Sequence, residues 1–144
     1  MKRSYIAFML LGLILTEGCE QILELFMEKV YYIYIQNDSN IDLFVAAADG
    51  KHSISPYPDT ILPNSRPFLK EVGPDERAKW ESHGKWEDRI NNLIPSDTLS
   101  IYLFDADTVN ICGWEEVAKD YKVLKRYDLS VDDLVRMNWT VTYP

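Results

Sequence analysis

The segment Leu99–Phe104 constrains the fold of this chain more than any other. Its residues, Leu-Ser-Ile-Tyr-Leu-Phe, are apolar on nearly every position of both alternating faces of an extended chain. Such a run is typical of a strand that is covered on its two sides. We therefore predict that it forms the central strand of a sheet.

Further β-strands are predicted on either side of it. Val30–Ile35 and Ile41–Val45 are rich in β-branched and aromatic residues, and the polar run Asn37–Asn40 separates them. Four turn-forming residues between two such runs predict a β-hairpin. Trp139–Tyr143 alternates in polarity and predicts a last strand. A short strand is expected at 68–72 and a further one at 121–127.

The helices are expected to be short. One is predicted in pieces over 75–92, interrupted at Gly84, and a second over 108–120, capped by Asp107 or Thr108. The pattern Ser130-x-x-Asp133 resembles a capping box and predicts a third over 131–137. Between the first strands and these helices, 46–67 carries four prolines, which predicts a long surface loop with at most an edge strand.

These elements predict a mainly β or α+β fold. We expect an antiparallel sheet or β-sandwich of five to six strands with two or three short helices, in a single domain over 30–144. A hydrophobic content of 47% with 12% aromatic residues is sufficient for a packed core and argues against a disordered chain.

The first residues match an export signal. Lys2-Arg3 precede an apolar run that is shorter than the roughly 20 residues needed to span a bilayer, and Gly18-Cys19 follows. We therefore predict a signal peptide over 1–18, lipidation of Cys19 and a linker over 19–29. An uncleaved anchor, or cleavage elsewhere by the ordinary signal peptidase, is the alternative.

Most of the chain carries a family resemblance. The C-terminal stretch from Leu124-Lys125-Arg126-Tyr127-Asp128-Leu129 to Trp139-Thr140-Val141-Thr142-Tyr143-Pro144, together with the signal ending at Cys19, resembles small uncharacterised Bacteroides-type lipoproteins, and the segment Ile33–Asn40 and Trp114 fit the same pattern. The resemblance implies a β-rich envelope domain. It brings no catalytic residues with it.

Charge and cysteine content exclude several classes. Removal of residues 1–18 leaves a net charge near −9 with no basic stripe, which disfavours nucleic-acid binding and attraction to anionic lipid. With Cys19 acylated, Cys112 is the only remaining thiol and cannot form an internal disulfide. Its neighbours in sequence offer neither a base nor a cation, so we expect a buried, inert thiol.

No metal, cofactor or catalytic motif is predicted. Asp105-x-Asp107 follows the central strand, but a calcium or magnesium site needs further oxygen ligands, and helix capping explains both residues. His52 and His83 have no partner at zinc-ligand spacing. His83 as a general base remains conceivable, although an exposed loop histidine is the simpler interpretation.

Aromatic residues supply the one ligand hypothesis. Tyr57, Trp80 and Trp86 could contact a sugar or a peptide at the rim of an exposed patch formed by 46–67 and the Trp80–Trp86 segment. The competing interpretation, which we favour, places both tryptophans in the core and the loop over a sheet edge.

The functional expectation is accordingly broad. We predict an envelope lipoprotein held in the outer membrane, at its periplasmic face, by acyl chains on Cys19. It would act as a binding or structural module with a protein or glycan partner and without a cofactor. The alternative is a small envelope hydrolase whose site no sequence motif reveals.

Overall fold

The computed structural model describes residues 29–49 and 61–144. The predicted signal peptide, Cys19 with its predicted lipidation, nearly all of the linker, His52 and Tyr57 lie outside these residues. Predictions about them are therefore unchanged by the structure.

The described residues confirm the mainly β, α+β fold, with seven strands and four short helices. The strands are β1 (Tyr31–Asn37), β2 (Leu43–Ala48), β3 (Lys70–Val72), β4 (Arg77–Ser82), β5 (Leu99–Asp105), β6 (Lys125–Leu129) and β7 (Thr140–Tyr143). The helices are α1 (Trp86–Leu93), α2 (Ala106–Cys112), α3 (Trp114–Lys119) and α4 (Val131–Arg136). Both numbers exceed the five to six strands and two or three helices expected from the sequence.

The strands form two sheets. The three-stranded sheet has the order β4-β1-β7, and the four-stranded sheet has the order β3-β2-β5-β6. All neighbours are antiparallel except β1 and β7, which run parallel. The predicted central strand is confirmed, because β5 lies between β2 and β6.

The main core lies between the two sheets. Alternate residues of β1 pack there against alternate residues of β2 and β5, and α1 and α4 contribute Trp86, Ile90 and Leu134. Its members are apolar and nearly inaccessible, among them Ile33, Ile35, Val45, Trp86, Ile90, Ile101, Leu103 and Leu134. Interdigitated apolar side chains of this kind are what hold a β-sandwich together.

A second apolar layer covers the outer face of the four-stranded sheet. Phe44, Tyr102 and Phe104 point away from the main core, and Val109 of α2 and Trp114 of α3 pack over them. The rings of Phe104 and Trp114 meet edge to face, with centroids 5.5 Å apart. This layer explains why every residue of β5 before Asp105 is buried.

The predicted hairpin is wrong, although both of its strands exist. β1 pairs with β4 and β7, whereas β2 pairs with β3 and β5, so the connection over 38–42 crosses from one sheet to the other. Asn37 holds this corner. Its buried amide donates to the carbonyls of Ile41, Val72 and Gly73 at 2.8, 3.1 and 3.0 Å.

Three helix and strand predictions need correction. Residues 77–82 form the edge strand β4 in place of the first predicted helical piece, and only the second piece, α1, is helical. The helix expected over 108–120 is two helices, because Gly113 has a φ of 78° and a ψ of 161°. Its cap is Asp105, whose carboxylate accepts from the Thr108 N–H at 2.6 Å.

The remaining elements agree with the sequence more closely. The capping box at Ser130 and Asp133 is present and begins α4. The strand predicted over 121–127 is displaced to β6, and the one predicted over 68–72 is shortened to β3. Helices of the described part of the chain all fall short of the length and apolar character that a bilayer crossing requires.

Candidate functional site

Strand pairing brings three parts of the chain together at one end of the three-stranded sheet, where β1 begins. The antiparallel register of β1 and β4 places Ser82, the end of β4, opposite Tyr31, the start of β1. A three-residue connection then leads to α1, so that Trp86 and Glu87 lie at the same end of the sheet. Sheet register thus juxtaposes residues that are more than fifty positions apart.

Trp139 reaches this end of the sheet from β7, which lies on the other side of β1 from β4. β7 begins at Thr140, which lies opposite Tyr34 in the parallel register, and the Trp139 carbonyl accepts from the Tyr34 N–H at 2.8 Å. Trp139 has a φ of 56° and follows Asn138 with a φ of 49°. Asn commonly adopts this left-handed conformation after a helix, but a bulky residue pays a steric cost for it.

These residues line a pocket of about 140 Å³. Its walls are Tyr31, Tyr32, Trp86, Glu87 and Trp139. Four of the five are aromatic, and the tyrosines, Glu87 and Trp139 are half-buried while Trp86 is almost inaccessible. A concave site with aromatic walls and one carboxylate has the character of a binding pocket.

Cationic side chains surround the pocket. The Lys29 ammonium lies 5.5 Å from the Tyr31 ring centroid, and the Lys79 ammonium lies 5.0 Å from that of Tyr32. The Arg89 guanidinium lies 5.8 Å from the Trp86 ring. Cation–π attraction thus already engages three of the four aromatic residues.

Two groups of hydrogen-bond donors belong to the segment that supplies Trp86 and Glu87 to the pocket. The Trp86 indole N–H is buried and has no acceptor among the described residues. Helix α1 begins at Trp86 without a side-chain cap, so its first backbone N–H groups have no side chain to accept from them. Buried donors without partners are uncommon in folded proteins and call for a specific explanation.

The structure shows where two of the predicted ligand contacts lie. Trp80 and Trp86 are only 5% and 1% exposed, so both belong to the core, as the competing interpretation predicts for the two tryptophans. Trp80 donates its indole N–H to the buried Asp49 carboxylate at 3.3 Å and packs edge to face on Phe68. Trp86 alone also lines the pocket, and Tyr57 lies outside the described residues.

The candidate polar residues lie apart from one another in the described part of the chain. His83 is exposed, and Asp105 acts as a helix cap. No group of three or more His, Cys, Asp and Glu positioned for a metal ion occurs within 29–49 and 61–144.

Cys112 departs from the expectation of an inert, buried thiol. It is only partly buried, and the Lys122 ammonium lies 3.9 Å from its sulfur. Lys122 also donates to the Glu116 carboxylate at 2.6 Å, which raises the pKa of Lys122 and lowers that of Glu116. This cluster was not apparent from the sequence, because Glu116 and Lys122 follow Gly113, at which the expected single helix is interrupted.

A polar network crosses from β5 to β6 on the outer face of the four-stranded sheet. The Ser100 hydroxyl donates to the Asp128 carboxylate at 2.5 Å, and Arg126 donates to the same oxygen at 2.9 Å. Burial raises the pKa of Tyr102 in the same row. Because Ser100 is fully buried, its hydroxyl is not accessible to a substrate, and the network is structural.

A larger cleft, of about 580 Å³, lies beside α3. Its lining includes Ile61, Leu62, Glu115, Lys119 and Tyr121. Ile61 is the first residue described after the gap at 50–60, so this cleft borders a part of the chain that the structure does not describe. The aromatic pocket is smaller, and four of its five lining residues are aromatic, so it has the more distinct chemical character.

Comparisons with protein-family models, with curated proteins and with solved structures gave no match to this chain.

Proposed function

We propose that this protein is a lipid-anchored binding module of the cell envelope, without catalytic activity, that holds one ring-shaped group of its partner in the aromatic pocket. The observation that carries the proposal is the convergence of Tyr31, Tyr32, Trp86, Glu87 and Trp139 around one concavity. These residues come from three separate segments, and one of them is held in an unfavourable backbone conformation.

Backbone strain supports a role for the pocket. Glycine at position 139 would adopt the left-handed conformation without a steric cost, whereas tryptophan does so at about 1–3 kcal/mol. Strain of this kind persists where the surrounding structure enforces it, and it is found preferentially at binding and catalytic sites. Trp139 contributes a pocket wall in this conformation.

The anchor would place the pocket near the membrane. Tyr31 follows Cys19 by twelve residues. A fully extended segment of that length spans at most about 43 Å. A partner held by the pocket would therefore be a component of the envelope within this distance of the bilayer, such as a cell-wall glycan or an exported protein.

The anchor is tested by Cys19→Ala in cells grown with a labelled fatty acid, with Cys112→Ala as the matched control. We expect the first variant to lose both the label and membrane association and the second to keep both. Membrane association of an unlabelled Cys19→Ala protein would show that lipidation is not the anchor.

The pocket is tested by NMR on the ¹⁵N-labelled full chain in detergent micelles. The four tryptophan indole N–H signals are assigned from single Trp→Phe variants. Trp80 and Trp114 serve as internal controls, because their indole N–H groups donate to Asp49 and to the Pro63 carbonyl. We expect at least one ring-sized probe to move the Trp86 and Trp139 signals selectively. If no probe does so, the pocket is not a binding site.

A further inference from the structure

We infer that the ring held by the aromatic pocket is an uncharged sugar residue of a glycan. The inference rests on the proposed binding function and specifies its ligand. Four features of the pocket lead to it: its volume, the chemistry of its walls, the charges around it and its unpartnered hydrogen-bond donors.

The volume limits the ligand to a single ring. The pocket measures about 140 Å³. An apolar cavity of about 150 Å³ accommodates benzene, so the pocket can surround one six-membered ring, with polar substituents of the ring reaching its open side. A larger partner would insert one terminal or side-branch residue and leave the remainder outside.

The walls match a ring with apolar faces and polar edges. Tyr31, Tyr32 and Trp139 offer aromatic surface, and Glu87 adds a carboxylate among them. A wholly apolar ring would remove water from Glu87 without giving it a hydrogen bond, which is unfavourable. A pyranose instead places C–H groups against the rings and directs hydroxyl groups to the carboxylate.

The surrounding charges disfavour an ionic ligand. Lys29, Lys79 and Arg89 lie over three of the pocket aromatics, so an ammonium ligand would meet three like charges and compete with them for the same rings. An anionic group would instead lie against Glu87 inside the pocket. An uncharged ring avoids both conflicts.

Unpartnered donors favour a ligand that can also accept hydrogen bonds. The Trp86 indole N–H has no acceptor among the described residues, and α1 begins without a side-chain cap. A sugar hydroxyl both donates and accepts. It can therefore donate to the Glu87 carboxylate while a neighbouring hydroxyl accepts from a backbone N–H group at the start of α1.

Two neighbouring tyrosines provide a matched pair for the test. Tyr32 and Tyr34 lie on the same strand and face with ring centroids 6.2 Å apart, and each has a cation over its ring. Only Tyr32 lines the pocket. Glu87→Gln and Asp88→Asn form a second pair, because Asp88 is the adjacent carboxylate on α1 and does not line this pocket.

The probes are methyl glycosides of glucose, galactose, mannose and N-acetylglucosamine, with tetramethylammonium, acetate and p-cresol as the cationic, anionic and aromatic alternatives. Each is titrated into the labelled full chain while the four indole signals are followed. We expect at least one glycoside, and none of the other three probes, to move the Trp86 and Trp139 signals.

The variants connect that response to the pocket. Tyr32→Ala and Glu87→Gln should each weaken glycoside binding about tenfold, which corresponds to the loss of one good contact or hydrogen bond. Tyr34→Ala and Asp88→Asn should stay within about twofold of the parent protein. Equal weakening by both members of a pair would show that the glycoside binds elsewhere.

The outcomes separate the inference from the proposed function. Selective shifts with tetramethylammonium or p-cresol, and none with the four glycosides, would overturn the sugar assignment and leave a binding pocket for a basic or aromatic side chain of a protein. Selective shifts with acetate alone would point to an acidic ligand and overturn it equally. Absence of any selective shift would overturn both the inference and the proposed function.

Discussion

The two sheets of this protein differ in how they are covered. The four-stranded sheet has apolar layers on both faces, so β2 and most of β5 are buried along their whole length. The three-stranded sheet packs on one face only, and β1 accordingly alternates between buried and half-buried residues. On its other face Tyr32 and Tyr34 lie under Lys79 and Arg77.

Because the two sheets are covered differently, we expect the four-stranded sheet to matter most for stability and the three-stranded sheet for binding. A sheet covered twice contributes most of the buried apolar surface, which is the main favourable term in folding. A sheet covered once leaves its other face and its ends accessible, and the aromatic pocket lies at one such end. Substitutions on the outer faces of the two sheets should therefore have unequal consequences.

The outer aromatic residues make the largest contrast. Phe104→Ala removes a fully buried ring that packs against Trp114, and we expect a loss of about 3–5 kcal/mol in the free energy of unfolding. Tyr34→Ala removes a half-buried ring and should cost less than about 1 kcal/mol. Urea unfolding followed by circular dichroism measures both. Similar losses in the two variants would contradict the unequal covering of the sheets.

Asn37 tests the connection between the sheets. Its side chain donates to three carbonyls, two of which belong to Val72, the last residue of β3 in the other sheet, and to Gly73 after it. Asn37→Ala leaves those carbonyls without this donor, so we expect a loss of about 1–3 kcal/mol in the same unfolding assay. Asn40→Ala, in the exposed part of the same connection, is the control and should change little. If both variants behave alike, the corner does not depend on the Asn37 amide.

The same corner shows where prediction from sequence failed. The residues of β1 and β2 indicated strands correctly, because composition and alternation are local properties. The run Asn37–Asn40 indicated a hairpin, but whether a turn joins neighbours in one sheet or crosses to another depends on which partners the strands find. Those partners, β4 and β5, begin forty or more residues further along the chain.

The site was harder to anticipate than the fold. Trp86 was singled out for its aromatic ring, and it does line the pocket, but it does so from within the core. Tyr31 and Trp139 were assigned only to strands, because nothing local indicates that parallel pairing of β1 with β7 brings them together. The register of strands that are distant in sequence determines which residues line the pocket, and the periodicity of a sequence does not reveal that register.

Gly113 tests the helical layer that covers the four-stranded sheet. Its φ of 78° and ψ of 161° fall in a region that only glycine occupies readily, and a Cβ there would meet no atom within 4 Å. Gly113→Ala should therefore cost about 1–3 kcal/mol through backbone strain alone. Gly84→Ala is the matched control, since it has equal space and no positive φ. A Gly113→Ala protein as stable as the parent would show that the break between α2 and α3 is not enforced by the backbone.

The smallest expected effect is a loss of stability in acid at α4, the helix that leads into β7 of the three-stranded sheet. The Asp133 carboxylate accepts from the Ser130 hydroxyl at 2.5 Å and from the Ser130 N–H at 3.0 Å, and Arg136 contributes a further bond. These interactions, the Ser130 hydroxyl foremost, hold the pKa of Asp133 below its usual 3.8 in the folded chain.

The sign of the pH dependence follows from that shift. The stabilisation from Asp133 is fully present above the pKa of the unfolded chain, near 3.8, and is lost as the pH falls through the lower pKa of the folded chain. Asp133→Asn should therefore reduce stability above pH 4 and flatten its decline below that value, and Ser130→Ala should flatten it in part. Thermal melts between pH 2 and pH 6 measure the effect. An Asp133→Asn protein whose stability declines as steeply as that of the parent would assign the acid sensitivity to other carboxylates.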